Sequence, residues 1–161
     1  MQVTMRDLAS YAARVASRLL DDFFTTFGKN PDVCILYGVP RGGLHVAQAL
    51  ALYLRALDRT VYVTSLLEEV FPSGNSEMSV LVDDIVVTGS TLQQARDLLE
   101  NRAVNLYAST AMISKGAQPV GRYTWRSVGA SEWVTFPWEV ALPWKADDSR
   151  PYDAVVRLLE Y

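Results

Sequence analysis

The sequence predicts an α/β fold in which helices flank a mainly parallel sheet. Three observations predict it. Short apolar runs alternate along the chain with segments of helical period, the order expected of right-handed strand–helix–strand crossovers. The runs are continuously apolar, without the in–out alternation of a half-solvated sheet, so they read as strands buried on both faces. Two of them end in glycine-containing turns that lead straight into helices, which puts both turns at the C-terminal edge of a parallel sheet, where ligands collect.

Each element has its own justification. Residues 4 to 27 carry Leu8, Tyr11, Ala12, Val15, Leu19 and Phe23 at helical spacing. Thr4 is a suitable cap, Asp7 suits the first turn, and Gly28 with Asn30-Pro31 ends the helix. This opening helix is expected against the sheet or a partner subunit. Val33-Cys34-Ile35-Leu36-Tyr37 is too short for a helix and reads as a buried strand. A helix is expected from Leu44 to about Leu57 and a strand from Thr60 to Leu66. A mobile loop is expected over residues 67 to 78, which hold Pro72, Ser73, Gly74 and Asn75. The strand from Val80 and its following helix run to about Asn101, and Asn105 to Ile113 forms another strand. From Pro119 the texture changes: Tyr123, Trp125, Trp133, Phe136, Trp138 and Trp144 crowd a short irregular region. Tyr152, Val155, Val156 and Leu159 outline a closing helix. No repeat, low-complexity tract or linker interrupts the chain, so residues 1–161 are expected to form one domain.

Composition narrows the function classes. Half of the 161 residues are hydrophobic and 20% are charged, a globular balance. The net charge of −3 offers no electrostatic footprint for nucleic acid. The single cysteine, Cys34, lies in an apolar strand and is expected to be buried and inert. No stretch reaches the about 18 apolar residues of a membrane span, and the N-terminus lacks a signal-peptide pattern. No membrane partner is expected, and a cytoplasmic location is.

The chain is organised around Val80-Leu81-Val82-Asp83-Asp84-Ile85-Val86-Val87-Thr88-Gly89-Ser90-Thr91. An apolar strand ends in two carboxylates, then a turn, then a helix with Leu92, Ala95 and Leu99 on one face. Free amides and the positive end of a helix dipole make such a loop an anion cradle. Thr88, Ser90 and Thr91 add hydroxyl donors suited to a phosphate monoester. Asp83 and Asp84 stand where they can accept from ribose hydroxyls or face a hard cation. Phosphate and diol one sugar apart is the recognition problem of a ribose 5-phosphate.

Tyr37-Gly38-Val39-Pro40-Arg41-Gly42-Gly43 ends a second strand in the same way. Its glycines let amides approach an anion, and the Arg41 guanidinium supplies a bidentate fork. His45 follows on the first helical turn, where a sideways orientation, away from catalysis, is expected.

The acidic stretch resembles the signature of type I phosphoribosyltransferases, an apolar run followed by Asp-Asp-x-x-x-Thr-Gly-x-Thr. The resemblance implies a five-stranded, mainly parallel sheet with a small C-terminal hood over about residues 117–145. It also implies binding of phosphoribosyl diphosphate (PRPP). Val87, Thr88, Gly89, Ser90 and Thr91 would grip the 5-phosphate, and Asp83 and Asp84 the ribose hydroxyls. Pro40, Arg41, Gly42 and Gly43 would take the diphosphate, with a cis peptide expected at Pro40–Arg41. Mg²⁺ would accompany PRPP, with Asp84 as its protein ligand. Asp83, Asp84 and Arg41 are the catalytic candidates.

Met112-Ile113-Ser114-Lys115-Gly116-Ala117 and Trp133-Val134-Thr135-Phe136-Pro137-Trp138-Glu139 resemble bacterial xanthine-guanine phosphoribosyltransferases in particular. That likeness implies that Lys115 reads a purine 6-oxo group and Trp133 stacks on the ring. The Val134 backbone would meet the 2-position edge, and Glu139 is the carboxylate after Pro-Trp. It implies transfer of the 5-phosphoribosyl group to guanine, xanthine or hypoxanthine, giving a nucleoside monophosphate and pyrophosphate. A homodimer or homotetramer is implied too, with Tyr, Phe and Leu of the opening helix as possible interface residues.

Two departures keep alternatives open. In 6-oxopurine enzymes the third residue after the acidic pair is itself acidic; here it is Val87, which cannot accept a proton. The loop over 66–78 carries Glu68, Glu69 and Glu77 and no Lys, Arg or Tyr. A transferase for adenine, a pyrimidine or a modified base is one alternative. A non-catalytic sensor of PRPP or nucleotide is the other.

Overall fold

A computed structural model of the chain describes residues 1–65, 76–116 and 123–140. In chain order the elements are α1 (Met5–Phe27), β1 (Val33–Gly38), α2 (Gly42–Ala56), β2 (Thr60–Ser65), β3 (Glu77–Val86), α3 (Ser90–Asn101), β4 (Leu106–Lys115), β5 (Tyr123–Val128) and α4 (Pro137–Val140). The five strands form one sheet in the order β2-β1-β3-β4-β5. Every pairing is parallel, so all C-terminal strand ends share one edge.

Helices cover both faces. On one, α1 and α2 pack through Tyr11, Val15, Leu19, Val46 and Leu50 onto Val80, Val82 and Met112 of the sheet. On the other, Leu92, Ala95 and Leu99 of α3 meet Ile35, Tyr37, Leu81 and Ala111. Successive residues Val80, Leu81 and Val82 thus serve opposite layers, which is why the β3 sequence is apolar without a break.

The opening helix begins at a capping box. Asp7 N–H donates to Thr4 Oγ1 at 3.1 Å, and Thr4 N–H donates to Asp7 Oδ2 at 2.9 Å. The Thr4 hydroxyl, which donates to Asp7 Oδ2 at 2.7 Å, and the Thr4 N–H together hold the Asp7 carboxyl below its ordinary value. Gly28 ends the helix in the left-handed region (φ 70°), its N–H bonding Phe24 O at 2.7 Å. The apolar residues of the opening helix divide between core and surface: Leu8, Tyr11, Leu19 and Phe23 are buried in the chain's own core, while Phe24 and Phe27 stay half exposed.

Four expected boundaries shift. The second helix starts at Gly42, ahead of Leu44, so the glycine pair is its first turn. The signature strand starts at Glu77, ahead of Val80, because Glu77, Met78 and Ser79 pair with Val33, Cys34 and Ile35. The fourth strand runs on through Lys115. The fifth strand lies inside the aromatic stretch read as irregular hood. Its Tyr123, Thr124 and Arg126 pair with Thr110, Ala111 and Ile113. It is an edge strand, and its partly exposed residues lack the apolar continuity that marks the inner ones. The loop expected over 67–78 ends earlier, since Glu77 and Met78 already belong to β3; its residues 67–75, the hood residues 117–122 and 141–145, and the closing helix around 152–159 lie outside the described residues.

Candidate active site

The expected site residues converge on the C-terminal edge of β1 and β3. Val39 N–H bonds Val82 O at 2.8 Å, tying the loop after β1 to β3 beside the acidic pair. The Pro40–Arg41 peptide bond is cis, as expected. Two glycines then let α2 come against β3. A Cβ on Gly43 would stand 2.5 Å from Val82 O, and one on Gly42 would stand 1.7 Å from Asp84 Oδ2. The Asp84 carboxylate therefore lies directly on the first turn of α2, in the space a side chain would need.

Asp83 is buried and Asp84 half-buried. Asp83 Oδ1 accepts from Asp84 N–H at 2.9 Å, and Asp84 Oδ1 accepts from Ile85 N–H at 2.8 Å. Burial and the adjacent Asp84 charge push the Asp83 carboxyl well above the usual carboxylate range. Burial raises Asp84 too, and Glu139 stands close enough to add its negative charge. Both carboxyls keep oxygens that can accept from hydroxyl donors.

The loop after β3 has the expected form. Gly89 adopts the left-handed region (φ 82°) as the N-cap of α3 and offers no capping side chain. The Thr88 and Ser90 hydroxyls lie 2.9 Å apart, and Ser90 N–H donates to Thr88 Oγ1 at 3.3 Å. Arg41 at the N-cap of α2 makes no side-chain capping bond either. Two helices therefore point uncapped N-termini at one edge, with the acidic pair between them. Such an arrangement is chemically suited to two anionic groups either side of a polyhydroxylated unit. The family model for the phosphoribosyl transferase domain matches residues 7–144.

The chain belongs to this family.

Solved structures with the same fold include a purine phosphoribosyltransferase from Pyrococcus horikoshii. It is 24% identical, with a TM-score of 0.61 over 86% of this chain and 92% of that one. An HGPRT-ase from Leishmania tarentolae in complex with GMP is 20% identical, with a TM-score of 0.63 over 79% of each chain. A hypoxanthine phosphoribosyltransferase from Trypanosoma cruzi with its product IMP is 18% identical, with a TM-score of 0.63 over 77% of this chain and 73% of that one. No curated protein matches the sequence.

The remaining candidates of this phosphoribosyltransferase come from β4 and from the segment after β5. Lys115 closes β4, one residue beyond the Val86–Ser114 pair, so it follows β4 to the same edge at which Val87 follows β3. Val87 is 57% exposed. Trp133 is 80% exposed, while Val134 beside it is buried. The backbone of Thr135 is held by the N-terminal strap: Val3 N–H donates to Thr135 O at 2.9 Å, and Thr135 N–H to Met1 O at 3.0 Å. Glu139 has a local duty, its Oε2 accepting from Phe136 N–H at 2.8 Å to cap the short helix α4. His45 is exposed on α2 and stacks on Trp138, centroids 4.9 Å apart and planes at 14°. Neither Trp138 nor this stack carries a signal in the sequence that would give it a role. Among the described residues no cluster of three His, Cys, Asp or Glu side chains stands ready for a metal, and no helix is long and apolar enough to cross a membrane.

Proposed function

We propose that this phosphoribosyltransferase moves the 5-phosphoribosyl group of PRPP to a 6-oxopurine, releasing pyrophosphate and forming a purine nucleoside monophosphate. The observation that carries the reading is the pair of uncapped helix N-termini flanking Asp83 and Asp84. The IMP and GMP bound to similarly folded enzymes support a purine acceptor.

In this reading Val87 to Thr91 hold the 5-phosphate through the first amides of α3 and the Thr88, Ser90 and Thr91 hydroxyls. Asp83 and Asp84 accept from the ribose hydroxyls and so orient C1 of the sugar. Pro40, Arg41, Gly42 and Gly43 surround the diphosphate. As the C1–O bond breaks and the C1–N bond to the base forms, negative charge grows on the departing pyrophosphate. Arg41 and the Gly42 and Gly43 amides meet that charge. Burial disfavours the charged form of both adjacent carboxyls, a cost that a hard cation beside them would offset. Asp84 would hold Mg²⁺, whose other oxygen ligands come from the diphosphate. When bound, the ion neutralises leaving-group charge.

Lys115 has three donors and no acceptor, which suits an exocyclic oxygen and not a 6-amino group. Trp133 offers an open ring face for stacking, worth about 1–3 kcal/mol. Val87 cannot take the proton the purine loses, which leaves Glu139 or water to receive it. The enzyme is read as a homodimer or homotetramer acting in the cytoplasm.

The exposed Val87 favours a second reading, a sensor that binds PRPP or nucleotide without turnover. One experiment separates the two. The protein is incubated with PRPP, Mg²⁺ and a panel of bases, and products are read by mass spectrometry. Guanine, xanthine or hypoxanthine should yield nucleoside monophosphate and pyrophosphate. Conversion of adenine or a pyrimidine alone would discard the 6-oxopurine assignment, and PRPP binding without conversion of any base would establish the sensor.

A further inference from the structure

Three rings run from the hood into the diphosphate side of the crevice. Phe136 is buried in the α1/α2 core. Trp138 stacks on it at 4.8 Å and 12°, and His45 stacks on Trp138 in turn at 4.9 Å and 14°. The two ends of this column belong to different halves of the site. His45 is on the first turn of α2, two residues beyond Gly43, so its position is rigidly that of the diphosphate loop. Phe136 and Trp138 flank Pro137 in the segment whose start is Trp133 and whose end is Glu139. That segment is held at its start by the Val3–Thr135 backbone bonds. At its other end, within the described residues, His45 is the α2 ring that contacts it.

We propose that His45 is a positioning residue. Through its stack on Trp138 it ties the base-side segment 133–139 to the diphosphate loop 40–43, so that a ligand in one half tightens binding in the other. The proposal rests on the assignment of those two segments to base and diphosphate. The physical basis is that a parallel ring pair has one favoured offset and spacing. A shift of α2's first turn as its amides close on an anion moves the ring under Trp138, and the Phe136 anchor turns that movement into a shift of the hood chain. Nothing in this role needs proton transfer, so a neutral flat ring should serve as well as imidazole. An aliphatic side chain should not.

The test compares His45→Ala and His45→Phe with wild type, using guanine and magnesium pyrophosphate as the two probes. In calorimetric titrations, pyrophosphate should strengthen guanine binding to wild type about fivefold or more, a typical coupling between sites. His45→Ala should abolish that factor while changing the affinity for pyrophosphate alone much less. His45→Phe should restore it, which a loss of mere helix stability would not allow. Amide hydrogen exchange of residues 133–139 in the unliganded protein gives a readout independent of any ligand. It should be faster in His45→Ala and as in wild type for His45→Phe. Equal coupling in wild type and His45→Ala, or equal exchange of the segment, would overturn the proposal. If wild type bound neither probe, the transferase reading would fall by itself, and the exchange comparison would still decide the role of His45.

Discussion

Gly42 carries the tightest steric demand in the crevice. A methyl group there would stand 1.7 Å from Asp84 Oδ2, so Gly42→Ala must push that side chain off the first turn of α2. The displaced group is the one assigned to ribose and Mg²⁺. Calorimetry should show PRPP affinity in Mg²⁺ falling about tenfold or more, the size of one lost charge-assisted contact. Unchanged affinity would take Asp84 out of the PRPP site. Asp83 makes a prediction about pH. Inside the fold it keeps its proton to higher pH than in an unfolded chain, because burial and the Asp84 charge disfavour the carboxylate. Above the ordinary carboxylate range the folded protein therefore binds more protons than the unfolded one. The stability contributed by the protonated form is full below that range and is lost as pH rises through the raised value. Asp83→Asn has no such proton to lose, and its side-chain oxygen can still accept from Asp84 N–H. Its melting temperature relative to wild type should climb between about pH 5 and about pH 9; a constant difference would contradict the raised carboxyl. Lys115→Met keeps an apolar stem and deletes the donors. It should lower kcat/KM for guanine relative to adenine by about tenfold or more, as loss of a matched polar contact does. Unaltered selectivity would show that another group reads the 6-position.

Helix ends divide the three long helices by purpose. The first is closed by Thr4 and Asp7, while the second and third begin without side-chain caps at the crevice. A capped end contributes to stability, whereas an open one leaves amides for a ligand. Thr4→Ala should cost about 1 kcal/mol in urea unfolding. It should also leave the rise in melting temperature caused by magnesium pyrophosphate as it is in wild type. A loss of that ligand-induced rise would mean that the capping box supports the site, against this division of roles. The same scale explains the shifted start of α2. Glycines are poor helix residues by propensity, so Gly42 and Gly43 read as loop; contact with β3 makes them helical.

Across the molecule, one buried chain of hydroxyls joins three elements beneath the crevice. Tyr11 of α1 lies 2.6 Å from Thr110 Oγ1 of β4, and Thr110 donates in turn to the Tyr123 carbonyl that opens β5. The Tyr123 hydroxyl returns to α1, donating to Asp22 Oδ2 at 2.5 Å. The opening helix and the edge strand are thereby held together although more than 100 residues separate Tyr11 and Tyr123. Burial pushes the Tyr11 phenol up, so it stays a neutral donor. Thr110→Val preserves shape but leaves the Tyr11 hydroxyl and the Tyr123 carbonyl without this partner. It should lower unfolding free energy by about 1–3 kcal/mol, the cost of a buried unsatisfied group. A shift below a few tenths in the urea midpoint would mean that other groups satisfy both.

The sequence by itself determined the α/β class, the inner strands, the opening helix with its Thr4 cap, and the two anion loops. These are local matters: continuous apolar runs, helical spacing and glycine turns state their own conformation. It also named the residues of the acidic pair and the Pro40–Arg41 turn, because a short motif carries its chemistry with it. The fifth strand was not legible, since Tyr123–Val128 shows no continuous apolar run and is partly exposed after Tyr123. Nor was the division of α1's apolar side chains between the core, as for Leu19 and Phe23, and the surface, as for Phe24 and Phe27, because an amphipathic face does not say what covers it. Only the tertiary structure decided that Asp84 rests on Gly42, that burial raises the Asp83 carboxyl above its ordinary range, and that His45 meets Trp138. Each of these joins residues far apart in the chain, where distance and dielectric are set by packing and no local pattern records them.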